Sequence, residues 1–135
     1  MATYEGYLLK IKDTVFPLKY IVSGTYKSTD NQRTELKANR NASNLLVRQT
    51  SPNFKTKIEF ETPILFLDEY EEIRNILNQG IINVRERKIQ ITYWNSEELK
   101  YKEAICYMPD IDYQPKNQMN GELIYDAMRL AFIEY

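Results

Sequence analysis

The residues of this chain that could do acid–base chemistry are its carboxylates, because the 135-residue sequence contains no histidine. Without histidine, the Ser-His-Asp and Cys-His nucleophile pairs and the commonest zinc ligand are excluded. Glycoside cleavage needs only two carboxylates separated in space. Candidates for such a pair are Glu59, Glu61, Glu97, Glu98, Glu103 and Asp112. Acidic residues that alternate along the polar face of a strand are ordinarily solvated, so we predict that the chain is not an enzyme.

The other reactive residues also favour a structural interpretation. Cys106, the single cysteine, lies between Ile105 and Tyr107 in a strand pattern and is predicted to be a small core residue. The four glycines are too scattered to cradle a phosphate or a dinucleotide. Asp110 and Asp112 resemble the start of a calcium loop, but the turn glycine and the terminal glutamate are missing. We expect no cofactor and no metal.

Basic side chains concentrate in one polar segment between residues 28 and 51. With Tyr26 and Phe54 as stacking surfaces they could bind nucleic acid. The formal net charge of −1 and the absence of a basic-glycine-aromatic signature instead favour pairing with a neighbouring subunit. The predicted interface residues are Tyr26, Arg33, Glu35, Lys37, Arg40 and Arg48.

Composition indicates an ordinary globular chain. Hydrophobic residues make up 43% and charged residues 27% of the sequence, and we expect one domain over residues 1–135. The apolar runs are far shorter than the roughly 20 residues that span a bilayer, so no membrane anchor is expected. Eleven tyrosines are typical of half-buried sheets and interfaces.

Hydrophobic periodicity predicts the elements that must position these residues. Alternation of apolar and polar residues indicates strands at 7–12, 55–62, 82–93 and 100–108. Residues 18–27 are predicted to be extended because they are rich in Tyr, Ile, Val and Thr. The polar segment 28–51 is predicted to be a long exposed hairpin. Residues 123–135 fit either a helical stripe or a strand, and we favour the strand.

One helix is predicted at about 68–79, where apolar residues recur at helical spacing. Asp68 and Glu71 have the spacing of a capping box, and Gly80 stands where a left-handed residue often ends a helix. The sequence therefore predicts a mostly β (α+β) fold, a split β-barrel or sandwich of antiparallel strands with one flanking helix.

Five segments carry a resemblance over nearly the whole chain. They are Gly6-Tyr-Leu-Leu-Lys-Ile, Phe16-Pro-Leu-Lys-Tyr-Ile, Lys57-Ile-Glu-Phe-Glu-Thr-Pro, Cys106-Tyr-Met-Pro-Asp-Ile and Arg129-Leu-Ala-Phe-Ile-Glu-Tyr. With this outline the chain resembles small tail proteins of siphophages and prophages of Gram-positive bacteria, encoded near the tape-measure gene. No motif in the resemblance is catalytic.

The resemblance implies a distal-tail or tail-tube class of structural virion protein. It implies a ring, commonly a hexamer, that links the tail tube to hub or fibre proteins at the tail tip or baseplate. Partners would be further copies of the chain, the tube, the tape measure and the hub, with assembly in the host cytoplasm and no nucleic acid or membrane bound. It also implies that the 28–51 hairpin contacts the next subunit.

Two alternatives stay open. A tube terminator or a head-proximal adaptor would have a similar size and ring symmetry. From another class, a small adaptor could bind sugar or nucleic acid through Tyr26, Trp94 and the basic hairpin.

Overall fold

The chain folds into antiparallel β-sheets with one α-helix. The computed structural model describes residues 3–33, 35–118 and 120–135. Helix α1 spans Leu67–Gly80, and a 3-10 turn spans Leu18–Tyr20. The strands in chain order are β1 (Leu9–Ile11), β2 (Thr14–Val15), β3 (Lys27–Gln32), β4 (Glu35–Arg40), β5 (Leu46–Thr50), β6 (Lys55–Glu61), β7 (Leu65–Phe66), β8 (Ile81–Asn83), β9 (Lys88–Asn95), β10 (Lys100–Tyr107), β11 (Pro115–Asn117), β12 (Leu123–Tyr125) and β13 (Arg129–Glu134).

The main sheet has the order β2-β1-β9-β10-β13-β6-β3, with β8 also paired to β9. Neighbours are antiparallel throughout. In the described part of the chain β2 and β3 remain its edges, so the sheet does not close into a barrel. The predicted mostly β fold of antiparallel strands with one helix is confirmed, in its sandwich form.

Two smaller units complete the fold. Strands β11, β12 and β7 form a three-stranded sheet, and β4 pairs with β5 as a separate hairpin. The predicted C-terminal strand is confirmed, because β13 lies between β10 and β6 in the main sheet. The predicted antiparallel pairing of β9 with β10 is also confirmed, from Asn95 opposite Lys100 to Lys88 opposite Tyr107.

The core lies between the inner face of the main sheet and α1. Alternate residues of β9 and β6 are buried, as the period-2 pattern requires. Phe60 is the centre of an aromatic group, with ring centroids 5.4 Å from Phe16 and 6.3 Å from Phe132. Each such fully buried side chain contributes about 1.5–3 kcal/mol relative to exposure. The helix supplies Ile73, Ile76 and Leu77 to the same cluster.

The position predicted for α1 is confirmed, but its cap is different. The backbone N–H of Phe66 donates to the Glu69 carboxylate at 3.0 Å, where Asp68 and Glu71 were expected to form the box. Phe66 is still extended as the last residue of β7, so the helix begins at Leu67, one residue earlier than predicted. Glu69 is consequently the residue in the third helical position, from which a side chain can reach back to the cap.

Gly80 serves close packing, and the predicted left-handed conformation is wrong. It is the buried last residue of α1, and the described glycines with positive φ are Gly6, Gly24 and Gly121. A Cβ at Gly80 would lie 2.6 Å from Ile11 Cγ2 and 3.1 Å from the Gln90 carbonyl oxygen. The end of the helix therefore packs so closely against β1 and β9 that only glycine, which has no side chain, fits at this position.

The extended segment predicted at 18–27 is also wrong. Pro17 fixes φ at −62°, and Tyr20 and Ile21 then donate backbone hydrogen bonds to Pro17 and Leu18 in a 3-10 turn. A second turn spans residues 23–25 and contains Gly24, whose φ is +86°. These local hydrogen bonds place the Tyr20 ring in the core, and regular strand begins only at β3.

Replacement of Gly80 by Ala tests this packing. We expect Gly80→Ala to lower the free energy of unfolding by about 1–3 kcal/mol, because the added methyl overlaps Ile11. Thermal and urea unfolding measure the change. The matched control is Asn78→Ala, an exposed position two residues earlier in α1. A Gly80→Ala variant as stable as the wild type would contradict the close approach.

Candidate subunit interface

The β4–β5 hairpin is the most exposed regular element that the structure describes. Every residue of both strands is exposed, and the hairpin joins neither of the two sheets. Its tip is a local turn in which the Asn41 side-chain oxygen accepts hydrogen bonds from the backbone N–H groups of Ser43 and Leu45, each at 3.0 Å. Asx turns of this kind form without tertiary support. The tip therefore has a defined shape while standing free of the sheets.

Four large apolar side chains of this free element are exposed. Each is more than half exposed, and they are Leu36, Leu45, Leu46 and Val47. An isolated two-stranded hairpin is at best marginally stable in water, and exposed apolar clusters commonly mark interaction sites. The hairpin therefore has the properties of a docking element.

Two of the predicted interface cations have partners inside the chain. Arg33 forms a bidentate pair with Glu97, at 2.7 Å from Nη1 to Oε2 and 2.6 Å from Nη2 to Oε1. This guanidinium lowers the pKa of the Glu97 carboxyl and also stacks over the Phe54 ring, 4.6 Å from its centroid. Arg48 pairs with Glu35 across the hairpin, with Nε 2.7 Å from Oε1. These residues fix the base and strands of the hairpin.

The other two predicted cations remain available. Lys37 and Arg40 are exposed on β4, and neither forms an ion pair with the carboxylates of the described residues. Arg40 donates to the Asn44 carbonyl oxygen at 3.0 Å, which holds its side chain beside the tip. The hairpin thus presents positive charge next to its apolar side chains.

Tyr26 lies away from the hairpin. Its ring stacks on Phe60 at 6.0 Å in the core, and its buried hydroxyl has no hydrogen-bond partner among the described residues. Burial raises the pKa of this hydroxyl. Trp94 is on the outer face of β9, in edge-to-face contact with Tyr4 and Tyr101. Of the residues suggested for ligand binding, Phe54 contacts Arg33, whereas Tyr26 packs in the core and Trp94 lies on the outer face of β9.

A buried polar group anchors the base of the hairpin, and the sequence analysis did not identify it. Asn95 Nδ2 donates to Asn31 Oδ1 at 3.1 Å, and both residues are buried. Asn31 Nδ2 donates in turn to Glu98 Oε2 at 3.1 Å. Asn95 Oδ1 accepts the backbone N–H groups of Glu97 and Glu98, both at 3.0 Å. We call Asn31 and Asn95 the asparagine clasp.

The clasp joins a bulge in β3 to the turn after β9. Asn31 has a φ of +53° where the β3–β6 register shifts, a conformation that asparagine tolerates better than most residues. Its backbone N–H donates to Thr56 Oγ1 at 3.1 Å, and that hydroxyl bonds Tyr93 OH at 2.9 Å. One signal could have revealed the clasp, since Asn95 continues the inward alternation of Ile89, Ile91 and Tyr93.

Three of the six candidate carboxylates, Glu59, Glu97 and Glu98, form structural ion pairs. Glu59 pairs with Arg129 of the neighbouring strand, and this guanidinium lowers the pKa of the Glu59 carboxyl. A general acid requires the opposite shift. Glu98 pairs with Lys102, with Oε2 2.5 Å from Nζ. Among the described residues, no group of three or more Cys, Asp or Glu could hold a metal ion, and no helix is long and apolar enough to cross a membrane.

Comparison with known proteins gives a family and a fold. The model of a family of unknown function, DUF6711, matches residues 1–135. No curated protein matches the sequence. The solved structures that match in fold include a chain of the "tail of empty GTA particle" refined with C6 symmetry and a chain of the "virion of native gene transfer agent (GTA) particle". Each match has 12% identity and a TM-score of 0.54, and covers 98% of this chain and 95% of the other.

The asparagine clasp can be tested by truncation. We expect Asn95→Ala to cost about 1–3 kcal/mol of unfolding free energy, because the Asn31 amide and two backbone N–H groups lose buried partners. Amide hydrogen exchange should also accelerate across residues 33–54. Asn39→Ala on exposed β4 is the control. Unchanged stability and exchange in Asn95→Ala would contradict the anchoring role.

Cys106 gives a second test, of the predicted core position. The thiol is buried, and desolvation raises its pKa to about 12. We expect no reaction with an aromatic disulfide reagent at pH 8 in native buffer and one equivalent of reaction in guanidinium chloride. Absorbance of the released thiolate measures both. Rapid reaction of the native protein would show that the side chain is accessible.

Proposed function

We propose that this chain, which belongs to the DUF6711 family, is a non-enzymatic structural protein of a phage-like virion tail that assembles into rings of identical subunits. Its similarity in fold to chains of tail-bearing particles supports the proposal. Because one fold can host many functions, the argument must also stand on the surface of this chain.

The β4–β5 hairpin is the observation that carries the proposal. Its apolar side chains are exposed, its strands pair only with each other in the sheets of the structure, and its base is fixed by the clasp and by Arg33. A neighbouring copy would cover the apolar side chains that the monomer leaves in water. In a ring, each subunit gives one hairpin and receives one, so the contact repeats until the ring closes.

The interface residues divide into two groups under this proposal. Lys37 and Arg40 are the charged side chains available to a neighbour. Arg33, Glu35 and Arg48 keep the hairpin in the shape that a neighbour receives. Tyr26 supports the interface indirectly, by packing against Phe60 beneath β3.

We propose that the position of this chain in the tail is that of the distal-tail adaptor, at the tail tip or baseplate. It would form a hexameric ring that is assembled in the host cytoplasm. The partners would be the tail tube, the tape measure and the hub or fibre proteins. The resemblance of the five sequence segments to siphophage tail proteins supports this station. A tube terminator or head-proximal adaptor would occupy another position, which antibody labelling of tails in electron micrographs distinguishes.

A shortened hairpin tests the proposed function. Glu35 and Thr50 are opposite each other in the β4–β5 pair, so an Asn-Gly turn can replace residues 36–49. We expect the shortened chain to keep its circular dichroism spectrum and its clasp but to remain monomeric where the full chain forms rings. Mass photometry and negative-stain electron microscopy measure the assemblies.

The control for this deletion is Val84→Ser. Val84 is the most exposed of the large apolar residues, at 80%, and lies outside the hairpin. We expect this variant to assemble like the wild type. Rings formed equally well by the shortened chain would refute the role of the hairpin, and a full chain absent from tails would refute the proposed function.

A further inference from the structure

We propose that the hairpin of one copy docks in a groove beside the N-terminal half of α1 in the next copy. This inference rests on the proposed function and adds the receiving surface. The groove, which we call the α1 groove, lies between the start of α1 and the loop that precedes β12. It is a shallow concavity of about 600 Å³ lined by Phe66, Leu67, Asp68, Glu71, Gly121, Glu122 and Leu123.

The α1 groove offers unpartnered apolar surface. Phe66 and Leu67 are each about half exposed, and Ile64, just before β7, is more exposed still. The opposite side of α1 supplies the core, so this face is the one the fold leaves uncovered. A partner that covered Phe66 and Leu67 would remove large apolar side chains from water.

Charge selects which partner fits. Asp68, Glu71 and Glu122 line the groove, and no cation of the described residues forms an ion pair with any of them. Asp68 lies in the first turn, where it complements the helix dipole, but Glu71 and Glu122 have no such role. The groove therefore favours an apolar partner that carries positive charge.

The hairpin has this combination on the same chain. Leu45, Leu46 and Val47 follow its turn, and Lys37 and Arg40 are cations that form no ion pair. Arg40 is opposite Leu46 in the β4–β5 pair, so these two side chains share one face of the hairpin, and Lys37 and Val47 share the other. Hence both halves of the contact are apolar surfaces flanked by charges of opposite sign, which favours correct pairing.

Another apolar groove of the chain fits less well. It lies on the other side of α1 and is lined by Ile73, Leu77 and Met108 and also by Arg74 and Arg87. The basic hairpin would meet like charge there, which costs several kcal/mol when such charges are placed together. The α1 groove is consequently the better receiving surface.

The proposed contact uses two different surfaces of each copy. Such a head-to-tail interface closes into a ring or extends into a filament, because an open chain of copies keeps one free hairpin at one end and one free groove at the other until it closes. Part of the attraction is between exposed charges, so association should weaken as salt rises.

Charge exchange between the two surfaces tests the proposal. We expect Lys37→Glu/Arg40→Glu and Glu71→Lys/Glu122→Lys each to raise the apparent dissociation constant for assembly at least about tenfold. An equimolar mixture should regain assembly, because each altered hairpin then meets an altered groove of opposite charge. Recovery on mixing also shows that both variants are folded. Mass photometry over a concentration series measures all three samples.

The controls are charge reversals outside both surfaces, Arg85→Glu and Glu103→Lys, which should assemble like the wild type. If the wild type forms rings and both double variants do so equally well, the α1 groove is the wrong receiving surface and the proposed function stands. If the wild type forms no rings and is absent from tails, the proposed function itself fails.

Disulfide trapping gives an independent test. Because Cys106 is buried, it should not interfere with cysteines introduced at the surface. We expect a mixture of Leu46→Cys and Leu67→Cys chains to form a cross-linked dimer under mild oxidation. Leu46→Cys mixed with Val84→Cys is the control, since Val84 is more exposed than Leu67 but lies outside the groove. Equal cross-linking in both mixtures would overturn the proposal.

Discussion

The pairing of two buried amides determines how the main sheet curves. Asn31 belongs to the edge strand β3 and Asn95 to β9, and three strands lie between them in the sheet order. A direct hydrogen bond across that interval requires the sheet to bend back on itself. The bend brings Thr56 against Tyr93 and leaves room for a core that α1 covers. Because an unpaired buried amide is costly, the bend and the bond depend on each other.

The same pairing connects the core to the surface. Asn95 orders the turn that carries Glu97 and Glu98, and Glu97 holds Arg33 at the point where the chain leaves the sheet for β4. The exposed hairpin thus starts from a rigid base although its strands join neither sheet. Groups in the interior set the direction of the hairpin, and the Asn41 turn sets the shape of its tip. The β4–β5 hairpin is therefore positioned by its base, while its exposed side chains stay available to a partner.

Much of this fold could be predicted from local pattern. The period of 2 in β6, β9 and β10 and the period of 3.6 in α1 depend on neighbours in the sequence, so they were visible in the residues themselves. The separate β4–β5 hairpin lies within the polar segment 28–51 that was predicted to be one long hairpin, but residues 28–32 of that segment belong to β3 in the main sheet. Alternation in β9 indicates that Asn95 faces inward, but its partner Asn31 could not be predicted, because the two residues are 64 positions apart. The conformation of Gly80 was predicted wrongly for the same reason, because tertiary contacts with β1 and β9 determine it.

The positive charges of the hairpin also affect how free chains associate before they bind any partner. Leu45, Leu46 and Val47 form a short apolar run on strands whose outer edges are unpaired, which is the composition of an aggregation-prone segment. Lys37 and Arg40 lie on the adjacent strand and act as gatekeepers, because like charges on two hairpins oppose their random pairing. Newly made chains would thereby repel one another through these tips and remain dispersed until an acidic surface offsets the charge.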